Sequence, residues 1–465
     1  MKKTFAKIFI VIEMAMLGLV LFSMIYYHSS LRFYLDHARH APEEPYLMYG
    51  EEDYPQTMEY EEYRGQAIEH IYRTAEERGF ADKVDDLADY TDWYNVISTG
   101  SGSSNSSGRI RALENALENY TNSEKILGKM NFVLLKKKLD KFVGLDMTSS
   151  LSGGQNDIWD VRDLVGPTAD GQLGWIQDDA NMTERIQNTI DFGLTMQEQG
   201  RNFVLFENPN KYAEIPGIVD YSEKKYDKLH TALEAFDVDY IDVGAKMHDM
   251  GMTDSDIFFH SDFHWKPWSG IVADQILCEY LNEKADYGVD TSIFNRENYQ
   301  VETLVNRFLG YLGKKVTEEY ADPDDFDIIT PKFETDYTVF NTLDMSEKRG
   351  SLEDTLFWKE QLEVDSLYEG NLYDMYGYGD QCLIKVHNNL NENGKRMLVV
   401  KESYANVMTP YLAGAVEDLD IIDLRGFKGS LMSYIEETNP DTVVLVYGLS
   451  SFGEFGVFDA MFDYR

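Results

Sequence analysis

Met397-Leu398-Val399-Val400-Lys401-Glu402-Ser403-Tyr404 is a short apolar run that stops at a charged pair, a serine and a tyrosine. Four consecutive apolar residues bounded in this way read as a strand buried on both faces. A helix is expected directly after it, from Tyr404 through Val407-Met408 to Tyr411-Leu412. Leu419–Ile422 and Val443–Tyr447 repeat the strand pattern downstream, with helices between. Upstream, helical periodicity over Glu184 to Gln199 precedes the strand Phe203–Phe206, and a helix over Ser222 to Ala235 precedes the strand Tyr240–Val243. A further helix is read from Gly270 to Leu281. Strands alternating with helices predict a parallel sheet in an α/β fold.

The serine at the end of the first strand has a chemical counterpart in Ser261-Asp262-Phe263-His264-Trp265. A hydroxyl near its free pKa is a poor nucleophile and needs a base beside it, and an imidazole serves best when a carboxylate fixes its tautomer. In extended chain, residues i and i+2 point to one side, so Asp262 can hold His264 Nδ1 and leave Nε2 for Ser403. Plainer readings exist for each half. A serine between a strand and a helix is commonly an N-cap, and Asp262 with His264 can be a structural pair or, with His260, a His-x-Asp-x-His metal cluster. No second ligand cluster accompanies them, so no bound metal is expected. GxGxxG, Walker and His-Glu-x-x-His sequences are absent, and no cofactor is expected.

Asp262-Phe263-His264-Trp265-Lys266-Pro267-Trp268-Ser269-Gly270 resembles the Asp-x-His-Trp-x-Pro-x-x-Gly signature of the DHHW proteins and of the alginate O-acetyltransferase-like branch of the SGNH hydrolases. Lys401-Glu402-Ser403-Tyr404-Ala405-Asn406 is similar to their nucleophile turn, and Ile422-Asp423-Leu424-Arg425-Gly426-Phe427 to the strand and turn that follow. Asn439 to Tyr447 matches the last strand. The resemblance covers roughly residues 125–285 and 396–450. It departs at Glu402, where an Asp is usual, and at Phe263, where the name-giving motif has a second His.

The resemblance implies an SGNH-hydrolase-like, flavodoxin-like three-layer sandwich with the acid-base pair before the nucleophile in the chain. It also implies Ser403, His264 and Asp262 as catalytic residues. Backbone at Tyr404 is a candidate oxyanion donor, and Asn208, Asn210 and Lys211 follow a strand where the resemblance expects a loop near the site. Trp265 and Arg425, within the matching motifs, complete the substrate and oxyanion candidates. The implied activity is O-acetylation of a cell-wall or secreted polysaccharide, with a multi-spanning membrane O-acyltransferase supplying the acyl group. An esterase, or a non-catalytic glycan-binding or assembly protein on the same fold, remains open.

Residues 8–27 form one apolar stretch broken only by Glu13, and about 20 residues span a bilayer. Lys2, Lys3 and Lys7 precede it, so the expected topology is a cytoplasmic N-terminus, a single-pass anchor and an extracytoplasmic remainder; a cleaved signal peptide is the competing reading. Removing those lysines and Glu13 from 42 basic and 82 acidic residues leaves 39 and 81, a formal charge of −42 outside the membrane. Such acidity argues against nucleic acid as a partner. Cys278 and Cys382 are far apart and read either as a disulfide or as free thiols.

The expected order of parts is a tail and anchor at 1–27, a polar helical stalk at 28–123 with a Gly/Ser loop over Ser98 to Gly108, and the first half of the α/β domain at 124–285. A β-rich insertion at 286–395 and the second half at 396–465 follow. Tyr368, Tyr373, Tyr376 and Tyr378 of the insertion suit either stacking on sugars or a small core of the insertion's own.

Overall fold

Alternate residues of strand Arg396–Lys401 enter two different cores: Met397 and Val399 pack on one side of the sheet, Leu398 and Val400 on the other. That is why the run is apolar throughout rather than alternating. The computed structural model describes Lys138 and residues 165–177, 182–215, 220–342, 345–452 and 461–464. The apolar stretch at 8–27, the helices expected in the stalk and its Gly/Ser loop lie outside these residues. Among the described residues no helix is long and apolar enough to cross a membrane.

In chain order, a ribbon of β1 (Val165–Pro167) and β2 (Leu173–Trp175) precedes α1 (Thr183–Glu198), β3 (Asn202–Asn208), α2 (Ser222–Ala235), β4 (Tyr240–Asp242) and α3 (Val243–Asp249). Then come α4 (Pro267–Ala285), β5 (Tyr299–Phe308), α5 (Tyr311–Val316), β6 (Asp324–Pro331), β7 (Tyr337–Asn341) and β8 (Ser346–Gly350). The last elements are β9 (Leu383–Asn388), β10 (Arg396–Lys401), β11 (Asp418–Ile422), α6 (Leu431–Thr438) and β12 (Thr442–Gly448).

Eight strands join in the order β4-β3-β12-β10-β11-β9-β7-β8. The five from β4 to β11 are parallel, and β9, β7 and β8 extend the sheet antiparallel. Counting from β10 as first, with β11, β12, β3 and β4 following, the parallel strands lie in the order 2-1-3-4-5. This is the flavodoxin-like arrangement entered at a different point of the chain. In that arrangement ligands bind beyond the carboxyl ends of the first and third strands, where the winding reverses. Here those strands are β10 and β12, and Ser403 follows β10 by two residues.

One face of the sheet is covered by α1, α2 and α6 through Ile186, Ile190, Leu229, Leu233, Leu431 and Ile435, and the other by α3 and α4 through Met247, Ile271 and Leu277. Each such side chain contributes about 1.5–3 kcal/mol when fully buried. Three layers result. The 286–395 region has no separate core: Tyr373, Tyr376 and Tyr378 pack into the core that α4 and β10 share. Cys278, buried in α4, and Cys382, partly buried before β9, are both free thiols.

Candidate active site

A short loop delivers the histidine. Phe258 and Trp265 pair as an isolated antiparallel bridge, the Lys266 N–H donates to Ile257 O at 2.7 Å, and Pro267 opens α4 directly afterwards. Between the ends of this loop, Asp262 Oδ1 accepts both the backbone N–H of His264 at 2.8 Å and its Nδ1 at 2.6 Å. The pair meets through an aspartate-centred turn rather than through extended chain. With Nδ1 donating to Asp262, Nε2 is left to accept the hydroxyl of Ser403, whose Oγ lies 2.7 Å away.

The other oxygen of Asp262 accepts the backbone N–H of Tyr311 at 2.6 Å. Burial pushes this carboxyl up, but its electrostatic interaction with His264 and the hydrogen bonds from His264 and Tyr311 outweigh it and hold the pKa below the ordinary value. Asp262 is thus kept as a carboxylate. Its loop is tied down on both sides: Asp324 accepts the N–H groups of His260 at 2.7 Å and Ser261 at 2.8 Å, and the Lys211 ammonium donates to the carbonyls of Phe259 and His260 and to Gln172. Lys211 is buried, which pushes its pKa down to about 8. Its reach is to the back of the histidine loop, so it positions that loop rather than facing Ser403.

Ser403 stands in a tight turn, Ser403–Val407, whose N-cap is Glu402 and which has no side-chain cap. The hydroxyl is therefore engaged by His264 and not by the turn it opens. The N–H groups of Ser403 and Tyr404 donate to no other described group, since the first bond inside the turn runs from Ala405 N–H to Glu402 O. They are candidate oxyanion donors. The Tyr404 carbonyl accepts Trp265 Nε1 at 2.8 Å and the Tyr373 hydroxyl at 3.2 Å, and the Tyr404 hydroxyl donates to Phe263 O. Trp265 and Tyr404 are buried supports that lock the histidine loop to the nucleophile turn.

Glu402 is buried with both oxygens engaged. Oε1 accepts the Gly448 N–H at 2.7 Å and Asn208 Nδ2 at 3.0 Å, and Oε2 accepts Ser451 Oγ at 2.5 Å. Burial raises its pKa against these hydrogen bonds. Asn208 thus contacts the Glu402 carboxyl directly, and Asn210 Nδ2 donates to Asn208 O at 3.5 Å. A side chain at Gly448 would stand 2.5 Å from Asn208 Nδ2, so the end of β12 requires glycine for space.

Arg425 grips Asp423 through Nε at 2.9 Å and extends its guanidinium to Asp380 at 2.9 Å. Asp380 also accepts Lys401 Nζ at 3.1 Å, and Lys401 donates further to Gly379 O and Asn406 Oδ1. Burial works against the Asp380 carboxylate, but the Lys401 and Arg425 charges prevail and keep its pKa low. The clamp joins the turns after β10 and β11 to the segment Leu372–Asp380. On that segment the Tyr373 ring stacks on the His264 ring, with centroids 4.4 Å apart. Tyr373, Asp380, Gly310 and Tyr311 escape a motif search because their contribution is tertiary: they come from an irregular region with no spacing to mark them.

Part of the chain, including the histidine loop, matches a known family model. Residues 172–332 match the family described as SGNH hydrolase-like domain, acetyltransferase AlgX. The AlgX-like match includes Asp262, His264 and Tyr311 and ends before Ser403. Among solved structures, Bacillus cereus PatB1 is similar at 19% identity and a TM-score of 0.53, over 65% of this chain and 99% of that one. PatB1 with a sulfonyl adduct aligns at 20% identity and 0.53, over 65% and 98%. A DHHW family protein from Eubacterium siraeum aligns at 20% identity and 0.48, over 66% and 97%. At this identity the PatB1 likeness speaks to fold, which is the three-layer sheet described above. No curated protein matches the chain.

Proposed function

We propose that the chain is a membrane-anchored, extracytoplasmic serine acyltransferase that moves an acetyl group through Ser403 onto a hydroxyl of a cell-wall or secreted polysaccharide. One observation carries the reading: Ser403 Oγ lies 2.7 Å from His264 Nε2 while Asp262 holds Nδ1 at 2.6 Å, at the carboxyl edge of β10. The description of the matching family as that of an acetyltransferase supports acyl transfer. The apolar stretch at 8–27 behind Lys2, Lys3 and Lys7 supports the anchor and its orientation.

In the first half of the reaction, His264 takes the Ser403 proton as Oγ bonds the acyl carbon. The bond from that carbon to the donor's leaving oxygen breaks, and the imidazolium returns the proton to that oxygen. In the second half, His264 takes the proton of a sugar hydroxyl whose oxygen bonds the acyl carbon; the bond to Oγ breaks and Ser403 regains its proton. Asp262 keeps the ring oriented and stabilises the imidazolium, while the Ser403 and Tyr404 N–H groups receive the developing oxyanion. For a site outside the membrane the acyl group must first cross it, and a multi-spanning membrane O-acyltransferase is the partner we assign to that step.

The test uses the full chain in mild detergent with a chromogenic acetyl ester. Chromophore release should depend on Ser403, accelerate with a suitable oligosaccharide at high local concentration, and leave an acetylated sugar detectable by mass spectrometry. Acetate release from an already acetylated glycan, with none added to a fresh one, indicates an esterase. Glycan binding without turnover, unchanged by Ser403→Ala, leaves only a binding module.

A further inference from the structure

Around the histidine, Trp265, Tyr373 and Tyr404 are buried and Phe263 and Trp175 partly so, but one aromatic residue is exposed. Tyr311 is 50% exposed. Its place is fixed by the catalytic geometry itself, because its own backbone N–H is the donor to Asp262 Oδ2 at 2.6 Å. The Tyr311 ring meets Phe263 edge to face, with centroids 5.6 Å apart, and Phe263 lies against the His264 ring at 4.0 Å. Trp175 stacks flat on Phe263 at 4.5 Å and stiffens the middle of this row. Lys315 Nζ lies 4.8 Å from the Tyr311 ring centroid and still leaves half of the residue open.

Single exposed hydrophobic residues are ordinary on a protein surface. The other large ones among the described residues are Phe236, Met250, Val301, Val305, Phe333, Met345 and Leu390. Tyr311 differs from them in being hydrogen-bonded through its backbone to the carboxylate that orients His264.

We propose that Tyr311 is an acceptor platform: its ring takes the C–H face of a neutral pyranose one sugar removed from the unit being acylated. The face of an aromatic ring is electron-rich and the axial C–H bonds of a pyranose are its weakly positive, apolar side, so the two stack. One ring, Phe263, separates the platform from the imidazole. A sugar stacked at Tyr311 would therefore set its neighbour within one ring's breadth of the imidazole. Such a platform sets which oligomers transfer well without taking part in the chemistry, and Tyr311 is a specificity residue rather than a catalytic one.

The proposal rests on the acyl-serine reading, and the experiment separates the two. Full chain in detergent receives the chromogenic acetyl ester and, as acceptor probes, neutral β-1,4-linked pentasaccharides of glucose and of N-acetylglucosamine. Tyr311→Ala should raise the acceptor KM about tenfold with kcat at saturating acceptor held within about threefold, while Tyr311→Phe and Tyr311→Trp keep the wild-type KM. Tyr311→Leu, which retains bulk against Phe263, should behave as Tyr311→Ala and covers the case in which alanine loosens the turn. An unchanged KM in the Ala and Leu variants overturns the platform, as does a loss confined to kcat. Ser403-dependent ester cleavage with no transfer to either neutral oligomer also overturns it. Absence of any Ser403-dependent cleavage in the wild-type chain overturns the acyl-serine reading itself, and the platform with it.

Discussion

Gly310 lies directly against the carboxyl group of Asp262: a Cβ on Gly310 would stand 2.2 Å from Asp262 Cβ and 2.3 Å from its Oδ2. Its backbone is not in the left-handed region, since φ is −69°, so the requirement for glycine here is one of space. Gly310 comes from the 286–395 region and Asp262 from the first half of the α/β domain. The carboxylate that orients the imidazole is thus shaped by a neighbour that follows it by almost fifty residues.

Gly310→Ala should lower kcat about a hundredfold, because a displacement of order 1 Å in a positioning group has that effect. Folding should cost about 1–3 kcal/mol, the usual penalty for overpacking. Steady-state rates beside thermal melting check this; full activity in the alanine variant would mean that Asp262 has room to move.

Asp262→Asn should be more damaging. The carboxylate accepts from His264 N–H, His264 Nδ1 and Tyr311 N–H, and an amide has only one oxygen for donors on both sides. One donor must then face an NH2 group or the imidazole must turn to its other tautomer. Turnover should fall about ten-thousandfold, the scale of the same change in serine triads. Labelling of Ser403 by a sulfonyl fluoride should slow with it. Labelling at the wild-type rate would show that Asp262 does not prepare the nucleophile.

The Lys401, Asp380 and Arg425 clamp makes a third expectation. Lys401→Met leaves Gly379 O, Asn406 Oδ1 and Asp380 without their shared donor. A loss of about 2–3 kcal/mol in stability follows from unsatisfied buried acceptors. Because the clamp also holds the segment carrying Tyr373 against His264, sulfonyl labelling of Ser403 should slow at temperatures where the variant is folded. A double-mutant cycle with Asp380→Asn should give a coupling of about 1 kcal/mol or more; strict additivity would dissolve the clamp.

The parallel half of the fold was legible because β3, β10 and β12 are buried on both faces, leaving continuous apolar runs. The expected strands fall within β3, β10, β11 and β12, and the helix read over Ser222 to Ala235 has the bounds of α2. Asp262, His264 and Ser403 were legible because each sits in a short distinctive sequence beside an element boundary, although Asp262 meets His264 through a turn and not along extended chain. Asn208 bonds Glu402, Lys211 bonds the back of the histidine loop and Arg425 bonds Asp423 and Asp380, tertiary contacts that no local pattern encodes. That β9, β7 and β8 of the expected β-rich region extend the main sheet was hidden for a related reason. β7 and β9 alternate buried residues with half-buried or exposed ones, and β8 is exposed at Glu347, Lys348 and Arg349, so none of the three carries a continuous apolar run.

Asp374, next to the tyrosine that stacks on His264, supplies a pH-dependent expectation. Burial and the nearby Asp380 charge push its carboxyl up to about 6, against the opposing pull of His264 and Lys401. A carboxyl whose pKa is higher folded than unfolded favours the folded state while protonated. Its contribution is whole below the unfolded value of about 4 and is lost as pH rises through 6. Asp374→Asn, which mimics the protonated form, should therefore match wild-type stability near pH 4 and exceed it at pH 8 by about 2 kcal/mol, allowing for partial solvent screening. Urea unfolding of both proteins at the two pH values measures the difference. A gain of equal size at pH 4 and pH 8 would mean that the asparagine improves packing and that Asp374 does not titrate near 6; a loss at pH 8 would mean that the native site uses the carboxylate.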